Sequence, residues 1–301
     1  MFSARLHAGW ALLLCWLPAV FGAESFRVAT YNVENYLDAP TATRHAKSEA
    51  AQAKVAASIL ALQPDVIALQ EMGSSAALLT LQARLKTNGL DLPYWHEVAA
   101  YDTNIHLAVL SRFPLTPRGA HTNESFVLHG RAFPVRRGFA DLEVAVTTNY
   151  HFTLLAAHLK SRIPSPEADE DEWRYEEAVL LRRVIDERLG ADPEANLIVL
   201  GDFNDLTDSK PIRAIVGRGK TALFDTRPAE RNHDADQARR VAWTHFYAKE
   251  DLYSRIDYIF ASRALKRAWL RDQTYILNLP DWGVASDHRP LIAGFTVGDF
   301  K

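Results

Sequence analysis

The stretch Asn196-Leu197-Ile198-Val199-Leu200-Gly201-Asp202-Phe203-Asn204-Asp205 carries the strongest fold signal in the chain. Its unbroken apolar run, Leu197 to Leu200, has the length of a strand that is buried on both faces. Asp202 and Asn204 stand two positions apart, so extended backbone would point both side chains the same way. Gly201 would let the backbone approach whatever these side chains hold. By itself the segment fits either a plain turn with Asx hydrogen bonds or one wall of a functional site.

A second segment follows the same plan and favours the site. Residues 46–62 have helical spacing, Gln63-Pro64-Asp65 breaks the helix, and the apolar strand 66–69 runs into Glu71. The first strand, 26–31, likewise ends at Asn32. Ligand sites of α/β sheets are usually built outside the carboxyl ends of strands. Polar residues at three such ends therefore predict a site there.

Hydrophobic periodicity predicts helices and strands along the chain after residue 24. The helices are predicted at 46–62, 74–86, 167–189 and 211–216. The strands are predicted at 26–31, 66–69, 94–99, 106–111, 141–147, 151–159, 197–200, 255–260 and 291–296. Residues 227–240 are predicted to form a polar loop.

Composition limits the classes of protein that are possible. The 301 residues carry a formal net charge of −3, so the chain is not a bulk polycation, and nucleic-acid binding would need a local basic groove or metal ions. Cys15 is the single cysteine of the sequence and lies in the N-terminal apolar stretch. The chain after that stretch therefore excludes disulfides, thiolate metal sites and a cysteine nucleophile. No linker divides residues 24–301, which predicts one domain, and we expect a monomer.

The N-terminus has the pattern of a secretory signal peptide at residues 1–23. Arg5 precedes an apolar stretch at 10–21, and the small residues Gly22 and Ala23 follow. The apolar stretch is short for a membrane span, so an uncleaved anchor is the weaker alternative. We therefore expect a secreted or periplasmic protein without stable membrane insertion after the signal is removed.

Six short motifs occur in an order that is informative as a set. They are Thr30-Tyr31-Asn32-Val33-Glu34-Asn35, Leu69-Gln70-Glu71, His158-Leu159-Lys160, Gly201-Asp202-Phe203-Asn204, Arg255-Ile256-Asp257-Tyr258 and Ser286-Asp287-His288-Arg289-Pro290. Together they resemble the endonuclease/exonuclease/phosphatase superfamily, which includes deoxyribonuclease I, abasic-site endonucleases, neutral sphingomyelinases and inositol polyphosphate phosphatases. The resemblance implies an α/β fold, a four-layer α/β/β/α sandwich of two mainly antiparallel sheets flanked by helices.

The resemblance also implies roles for five catalytic residues. His288 is the expected general base, since imidazole titrates near neutral pH, and Asp257 would hold its other ring nitrogen. For Asp257 the alternative is a structural ion pair with Arg255 or Arg263. Asp202 would orient the attacking water or help to protonate the leaving group. Asn204 and His158 would hold phosphoryl oxygens as charge builds.

Metal binding is expected at three further residues. Glu71 and Asp287 are oxygen ligands of the kind that Mg²⁺ or Mn²⁺ prefers, with Asn32 as a neutral ligand or orienter. Each acid alone could be an ordinary strand-end or turn residue. Their common membership in the ordered set of motifs favours metal binding.

A substrate-binding rim is predicted more weakly. Lys160, Arg112 and Arg136, with its neighbour Arg137, could bind phosphate, although lysine and arginine are usually solvated surface charges. Trp243 could stack on a base or sugar, or pack in the core.

The leading functional hypothesis is a secreted, Mg²⁺-dependent phosphodiesterase, specifically a nuclease whose partner is nucleic acid. The alternative is a phosphatase or phosphodiesterase for small phosphate esters or phospholipid head groups. A third hypothesis, a binding module that lost turnover, is disfavoured because every expected catalytic residue type is present. The resemblance indicates reaction type better than substrate.

Overall fold

The computed structural model describes residues 25–230 and 241–298. Its helices are α1 Glu49–Leu62, α2 Ser75–Thr87, α3 Glu170–Ala191, α4 Lys210–Val216 and α5 Trp282–Ala285. The first strands are β1 Ser25–Tyr36, β2 Val66–Met72, β3 Tyr94–Val98, β4 His106–Ser111, β5 Leu115–His121, β6 Ser125–Leu128, β7 Arg131–Pro134, β8 Phe139–Ala145 and β9 His151–His158. The remaining strands are β10 Leu197–Asp202, β11 Phe224–Asp225, β12 Ala229–Glu230, β13 His245–Tyr247, β14 Leu252–Ser254, β15 Asp257–Ala261, β16 Trp269–Ile276 and β17 Leu291–Thr296.

The strands form two large sheets that pack face to face. One has seven strands in the order β12-β16-β17-β1-β2-β4-β3, and the other has six in the order β11-β15-β10-β9-β8-β5. Three neighbouring pairs are parallel, namely β1 with β2, β9 with β10, and β12 with β16, and the other pairs in these sheets are antiparallel. The prediction of two mainly antiparallel sheets is therefore confirmed.

Three apolar clusters separate the layers. Val28 and Ile198 belong to the cluster between the two sheets. On the outer face of the seven-stranded sheet, Ile59 of α1 belongs to one apolar cluster with residues of β2. On the outer face of the six-stranded sheet, Leu181 of α3 packs in one cluster with Val199 of β10. The alternation of Ile198 and Val199 between two cores explains why this strand is apolar throughout.

The predicted helices and strands are all present, with shifted ends. Elements that the sequence reasoning missed are β5, the β6–β7 and β13–β14 hairpins, β11, β12, β16 and α5. These segments are short or half-exposed, as in β5 and β16, so they lack the apolar run that identifies a core strand. Part of the predicted loop is the strand β12, and residues 231–240 lie outside the described residues. The predicted signal peptide at 1–23 also lies outside them, and no helix in the described part could span a membrane.

Gly201 is explained by the neighbouring strand and not by a ligand. It pairs with Ala157 of β9 and has φ +141°, a backbone conformation that L side chains rarely adopt. A Cβ atom at this position would lie 1.9 Å from the carbonyl oxygen of Ala157. The glycine therefore lets β10 lie close to β9 immediately before Asp202.

We expect Gly201→Ala to lower the free energy of unfolding by about 3 kcal/mol or more, because a backbone clash adds to an unfavourable φ. Gly190→Ala is the matched control, since no heavy atom lies within 4 Å of a Cβ placed there and its φ is not positive. The control should be neutral or slightly stabilising. Urea denaturation of both variants measures the difference, and equal stability would contradict the assignment.

Candidate active site

Strand register brings three of the predicted catalytic residues side by side. Asp202 ends β10 and pairs with His158 on the parallel strand β9. On its other side it pairs with Asp257, the first residue of the antiparallel strand β15. All three side chains are buried, with Asp202 1% exposed. Neighbouring strand ends thus place two carboxylates and an imidazole at one edge of the six-stranded sheet.

The seven-stranded sheet supplies the opposite wall. Asn32 lies in β1 and Glu71 in β2, while Asp287 and His288 precede β17, the antiparallel neighbour of β1. Asn32 Nδ2 donates to Asp202 Oδ2 at 3.0 Å and to Glu71 Oε1 at 3.4 Å. This one amide joins the two sheets at the site.

The carboxylate of Asp202 is the centre of the contacts. Its Oδ1 accepts a hydrogen bond from the Asn204 backbone N–H at 2.9 Å. Its Oδ2 lies 3.5 Å from His158 Nε2 and 3.7 Å from His288 Nε2. Burial and the charge of Asp257 raise the pKa of Asp202 to about 6, against the opposing effects of His288 and Asn32. Asp202 is therefore placed to exchange a proton near neutral pH.

His288 and Asp257 form a buried pair. His288 Nδ1 lies 2.8 Å from Asp257 Oδ2, which leaves Nε2 facing Asp202. Burial opposes the charged imidazole, but the carboxylates of Asp257 and Asp202 outweigh it and raise the pKa of His288 well above its usual value. The alternative ion pair for Asp257 does not form with Arg255, which binds Asp225 instead. The geometry is that of an imidazole base oriented by a carboxylate.

His158 is held neutral by its surroundings. Burial lowers its pKa well below the usual value, and the positive charges of Arg137, His288 and Arg44 lower it further. Arg137 donates to the backbone oxygens of His158 and Leu159, so it supports the end of the strand. A neutral imidazole beside Asp202 can donate one N–H to a phosphoryl oxygen without a charge of its own.

The hydrogen bonds of Asn32 show how its side-chain amide is oriented. Asn32 Oδ1 accepts the backbone N–H of Glu34 at 3.0 Å, so its Nδ2, a donor, faces the site. This orientation suits the orienting alternative for Asn32, and its role as a metal ligand stays a prediction. Burial and the charges of Asp287 and Glu71 raise the pKa of the neighbouring Glu34, against the charge of Lys47, whose Nζ lies 3.8 Å from Glu34 Oε2.

Glu34, Glu71 and Asp287 offer carboxylate oxygens on this wall of the site. The charges of Asp287 and Glu71 both act against the charge of Glu34, and a bound cation would remove that repulsion. The donors are oxygens, as Mg²⁺ and Mn²⁺ prefer. For Asp287, burial raises the pKa, but hydrogen bonding to His245 and the charges of His288 and His245 lower it overall, which keeps the ligand ionised.

The comparisons with known proteins agree with this geometry. Residues 29–288 match the model of the Endonuclease/Exonuclease/phosphatase family. The chain belongs to this family. Its members are hydrolases that act on phosphoester bonds and depend on divalent metals. A search of curated protein sequences gave no significant match.

Solved structures share the fold at low sequence identity. Truncated TDP2 of Caenorhabditis elegans is similar with TM-score 0.59 and 17% identity, over 91% of this chain and 98% of that one. The human nocturnin catalytic domain with bound sulfate has TM-score 0.58 and 19% identity, over 91% and 95%. An AP endonuclease from Archaeoglobus fulgidus has TM-score 0.58 and 14% identity, over 90% and 100%.

Three site residues of this family member have left-handed backbone. Asn204 has φ +56°, Glu71 has φ +62° and Glu34 has φ +45°, values that are uncommon outside glycine. Such conformations persist where the surrounding structure fixes them, as it does here. Asn204 Nδ2 donates to the Leu159 carbonyl oxygen at 3.0 Å, while its N–H closes the Asx turn on Asp202. The segment is thus both a turn and a wall of the site.

The predicted rim residues contact other groups in the structure. Arg112 binds Asp65 at 2.8 Å, next to the start of β2, whereas Glu71 lies near the end of that strand. Arg136 donates to Glu167 and stacks over a tryptophan ring 5.0 Å away. Lys160 Nζ donates to the Ser161 and Ile163 carbonyl oxygens. Among the described residues, these three cations have partners outside the site.

Trp243 occupies a half-buried aromatic cluster beside the site. Its ring lies 5.0 Å from that of Trp282 and 4.9 Å from that of Tyr253. The buried guanidinium of Arg289, the residue after the base, stacks 3.4 Å from its centroid. Packing therefore accounts for the contacts of the Trp243 ring, while Tyr253 remains exposed at the surface.

Two arginines near the site were missed. Arg44 lies 3.5 Å from Glu71 and also donates to Asn35. Arg162 donates from Nε to the Asn204 carbonyl oxygen at 3.0 Å. Arg44 comes from an irregular segment without hydrophobic periodicity, so no pattern indicated it. Arg162 lies four residues after His158, and that closeness along the chain was the available signal.

Thr244 fixes the start of β15 and with it Asp257. Its hydroxyl, fully buried, accepts the backbone N–H groups of Ile256 at 3.1 Å and Asp257 at 3.2 Å. No pattern in the sequence indicated this role. The position of the carboxylate that orients His288 thus depends on one hydroxyl.

We expect Thr244→Val to lower the free energy of unfolding by about 2 kcal/mol, because two buried N–H groups lose their acceptor. Thr244→Ser keeps the hydroxyl and loses one buried methyl group, worth roughly 1 kcal/mol. Turnover should fall in the valine variant and persist in the serine variant. Denaturation and kinetic assays of both variants test this, and a valine variant as active as the serine variant would refute the role.

Proposed function

We propose that this protein is an exported, Mg²⁺- or Mn²⁺-dependent phosphodiesterase, specifically a nuclease. The observation that carries the proposal is the buried His288–Asp257 pair, whose free Nε2 faces Asp202 and lies 3.8 Å from Asp287 Oδ1. Hydrolysis of a phosphate ester needs an activated water, neutralised phosphoryl oxygens and a stabilised leaving group. This chain offers a residue for each requirement.

The proton steps follow from the positions of the side chains. In its neutral form His288 takes a proton at Nε2 from water as the water attacks phosphorus, and Asp257, whose charge helps to raise the pKa of His288, stabilises the imidazolium through Nδ1. Asp202, with its pKa raised to about 6, orients the water or protonates the leaving oxygen. A divalent cation held by Glu71, Asp287 and Glu34 would neutralise charge on the phosphoryl group.

Charge stabilisation comes from neutral donors and from cations at the edge of the site. Asn204 and His158 are placed to donate hydrogen bonds to phosphoryl oxygens as charge builds. Arg44 contacts Glu71, and Arg162 contacts the Asn204 backbone, so each stands beside a proposed site residue. These local cations supply the positive charge that the acidic chain lacks overall.

Support for a nucleic-acid substrate comes from a neighbour and a surface. The similar Archaeoglobus protein is an AP endonuclease, and the similar nocturnin structure holds a sulfate anion. Next to Asp287, the aromatic cluster presents Tyr253, 53% exposed, and Tyr247 of the same hairpin is 39% exposed. Exposed rings beside a phosphodiesterase site suit stacking of bases. Export rests on the sequence of residues 1–23 and, like the monomeric state, stays a prediction.

We expect His288→Ala to lower kcat by about 10³-fold and Asp202→Asn by about 10²-fold, because each removes a proton-transfer group. Chelation should abolish activity, and Mg²⁺ or Mn²⁺ should restore it. His129→Ala is the matched control, since this exposed histidine binds Glu172 at the surface. Thermal melts check folding. Turnover that survives chelation, or near-normal rates in either site variant, would overturn the mechanism.

The substrate is tested by comparing kcat/KM for plasmid DNA, RNA, a phosphomonoester and sphingomyelin vesicles. We expect hydrolysis of DNA or RNA at least about tenfold more efficiently than of the other two, because only polynucleotides engage both the aromatic surface and the phosphate-binding cations. Faster hydrolysis of the monoester or of sphingomyelin would support the alternative of a small-ester or head-group enzyme. No turnover in any assay would favour a binding module.

A further inference from the structure

A second histidine, His245, lies next to His288, the proposed base. Strand β13 forms a bridge in which His245 pairs with His288, and the Phe246 backbone N–H donates to the Asp287 carbonyl oxygen at 3.0 Å. The two imidazole rings lie 4.6 Å apart, centre to centre. Backbone pairing, and not a flexible loop, therefore sets the distance between the rings.

Asp287 lies between the two imidazoles. Its Oδ2 is 3.6 Å from His245 Nε2, and its Oδ1 is 3.8 Å from His288 Nε2. One ligand atom from each residue lies within 4.8 Å of the others. Zinc bonds of about 2.0–2.2 Å place tetrahedral ligand atoms roughly 3.3–3.6 Å apart, so a small closure would complete the set.

The groups around this set match the supporting shell of a transition-metal site. Asp257 accepts from His288 Nδ1 at 2.8 Å, the carboxylate contact that orients a ligating imidazole and leaves its Nε2 free. The side chain of Asp287 is 43% exposed and that of His245 18% exposed, which gives an ion a path from solvent and leaves a fourth position for water.

The ligand chemistry differs from that of the proposed magnesium site. Glu34, Glu71 and Asp287 offer oxygens, which suit Mg²⁺, whereas His245 and His288 add two imidazole nitrogens, which suit Zn²⁺ and related ions. Asp287 belongs to both sets, and His288 Nε2 is the nitrogen that the reaction needs as a base. Occupation of the second site thus conflicts with catalysis.

We propose that His245, Asp287 and His288 form a binding site for a transition-metal ion of the zinc type, and that its occupation inhibits the enzyme. Metal binding follows from the geometry of the three side chains alone. The inhibitory consequence rests on the proposed function, because it assumes that His288 acts as the base.

The binding test uses Co²⁺ as a spectroscopic probe on the intact protein with Mg²⁺ in excess. Visible absorption from a tetrahedral cobalt site should appear in the wild type and be displaced by one equivalent of Zn²⁺. His245→Gln should weaken Co²⁺ and Zn²⁺ binding by at least about tenfold, since it removes one ligand. His151→Gln is the matched control, because His151 also faces a carboxylate, Glu143 at 3.5 Å, and should bind cobalt like the wild type.

Two further experiments identify the ligands and test whether metal binding inhibits the enzyme. Asp202, Asp257 and His288 also lie close enough to hold an ion, so Asp202→Asn should leave cobalt binding intact if the site is the proposed one. Under Mg²⁺, Zn²⁺ should inhibit the wild type and His151→Gln, and the inhibition constant should rise at least about tenfold in His245→Gln.

Each result decides one part of the proposal. Equal cobalt affinity in the wild type and His245→Gln, or loss of binding in Asp202→Asn, would overturn the site. Equal zinc inhibition in the wild type and His245→Gln would overturn the regulatory part. Binding that depends on His245 in a protein with no phosphodiesterase activity would keep the metal site and reject the proposed function.

Discussion

The buried carboxylate of Asp202 is the constraint on which the rest of the site depends. A carboxylate with almost no contact to solvent is costly unless several partners stabilise it. Asn32, the Asn204 backbone and two histidines approach it from different elements. Because these partners come from both sheets, the same contacts that stabilise the charge also fix the geometry of the catalytic groups.

The fold brings those partners together through strand register. Parallel pairing of β9 with β10, and antiparallel pairing of β10 with β15, align His158, Asp202 and Asp257 in one row. Gly201 allows the close approach of β9 that this row requires. The opposite sheet then closes the site through Asn32, whose amide contacts Asp202 and Glu71 together. The active site is therefore a junction between sheets and cannot form from either sheet alone.

Acids and imidazoles meet at this junction. The acids are Glu34, Glu71 and Asp287, and the imidazoles are those of His158 and His288. Burial lowers the pKa of His158, whereas carboxylates raise that of His288. The surroundings thereby favour the neutral form of His158 and the charged form of His288. His245 adds a third imidazole at the edge, where oxygen and nitrogen ligands meet at Asp287. Because the proposed base His288 lies beside the proposed metal ligand Asp287, we expect ions of the zinc type to inhibit the enzyme.

The sequence by itself determined the core strands, the two-sheet class and the residue types at strand ends, because these depend on local periodicity and on motifs that stay together along the chain. It located Asp202, Asp257 and His288 correctly relative to their strands. It could not give the orientation of the Asn32 amide, which a hydrogen bond from Glu34 decides, or the exclusion of Arg112, which lies at the wrong end of its sheet. Arg44, Thr244 and His245 reach the site through contacts between residues far apart in the chain. Only tertiary structure decides such contacts, since pairing register and packing are properties of the folded sheets and not of any one segment.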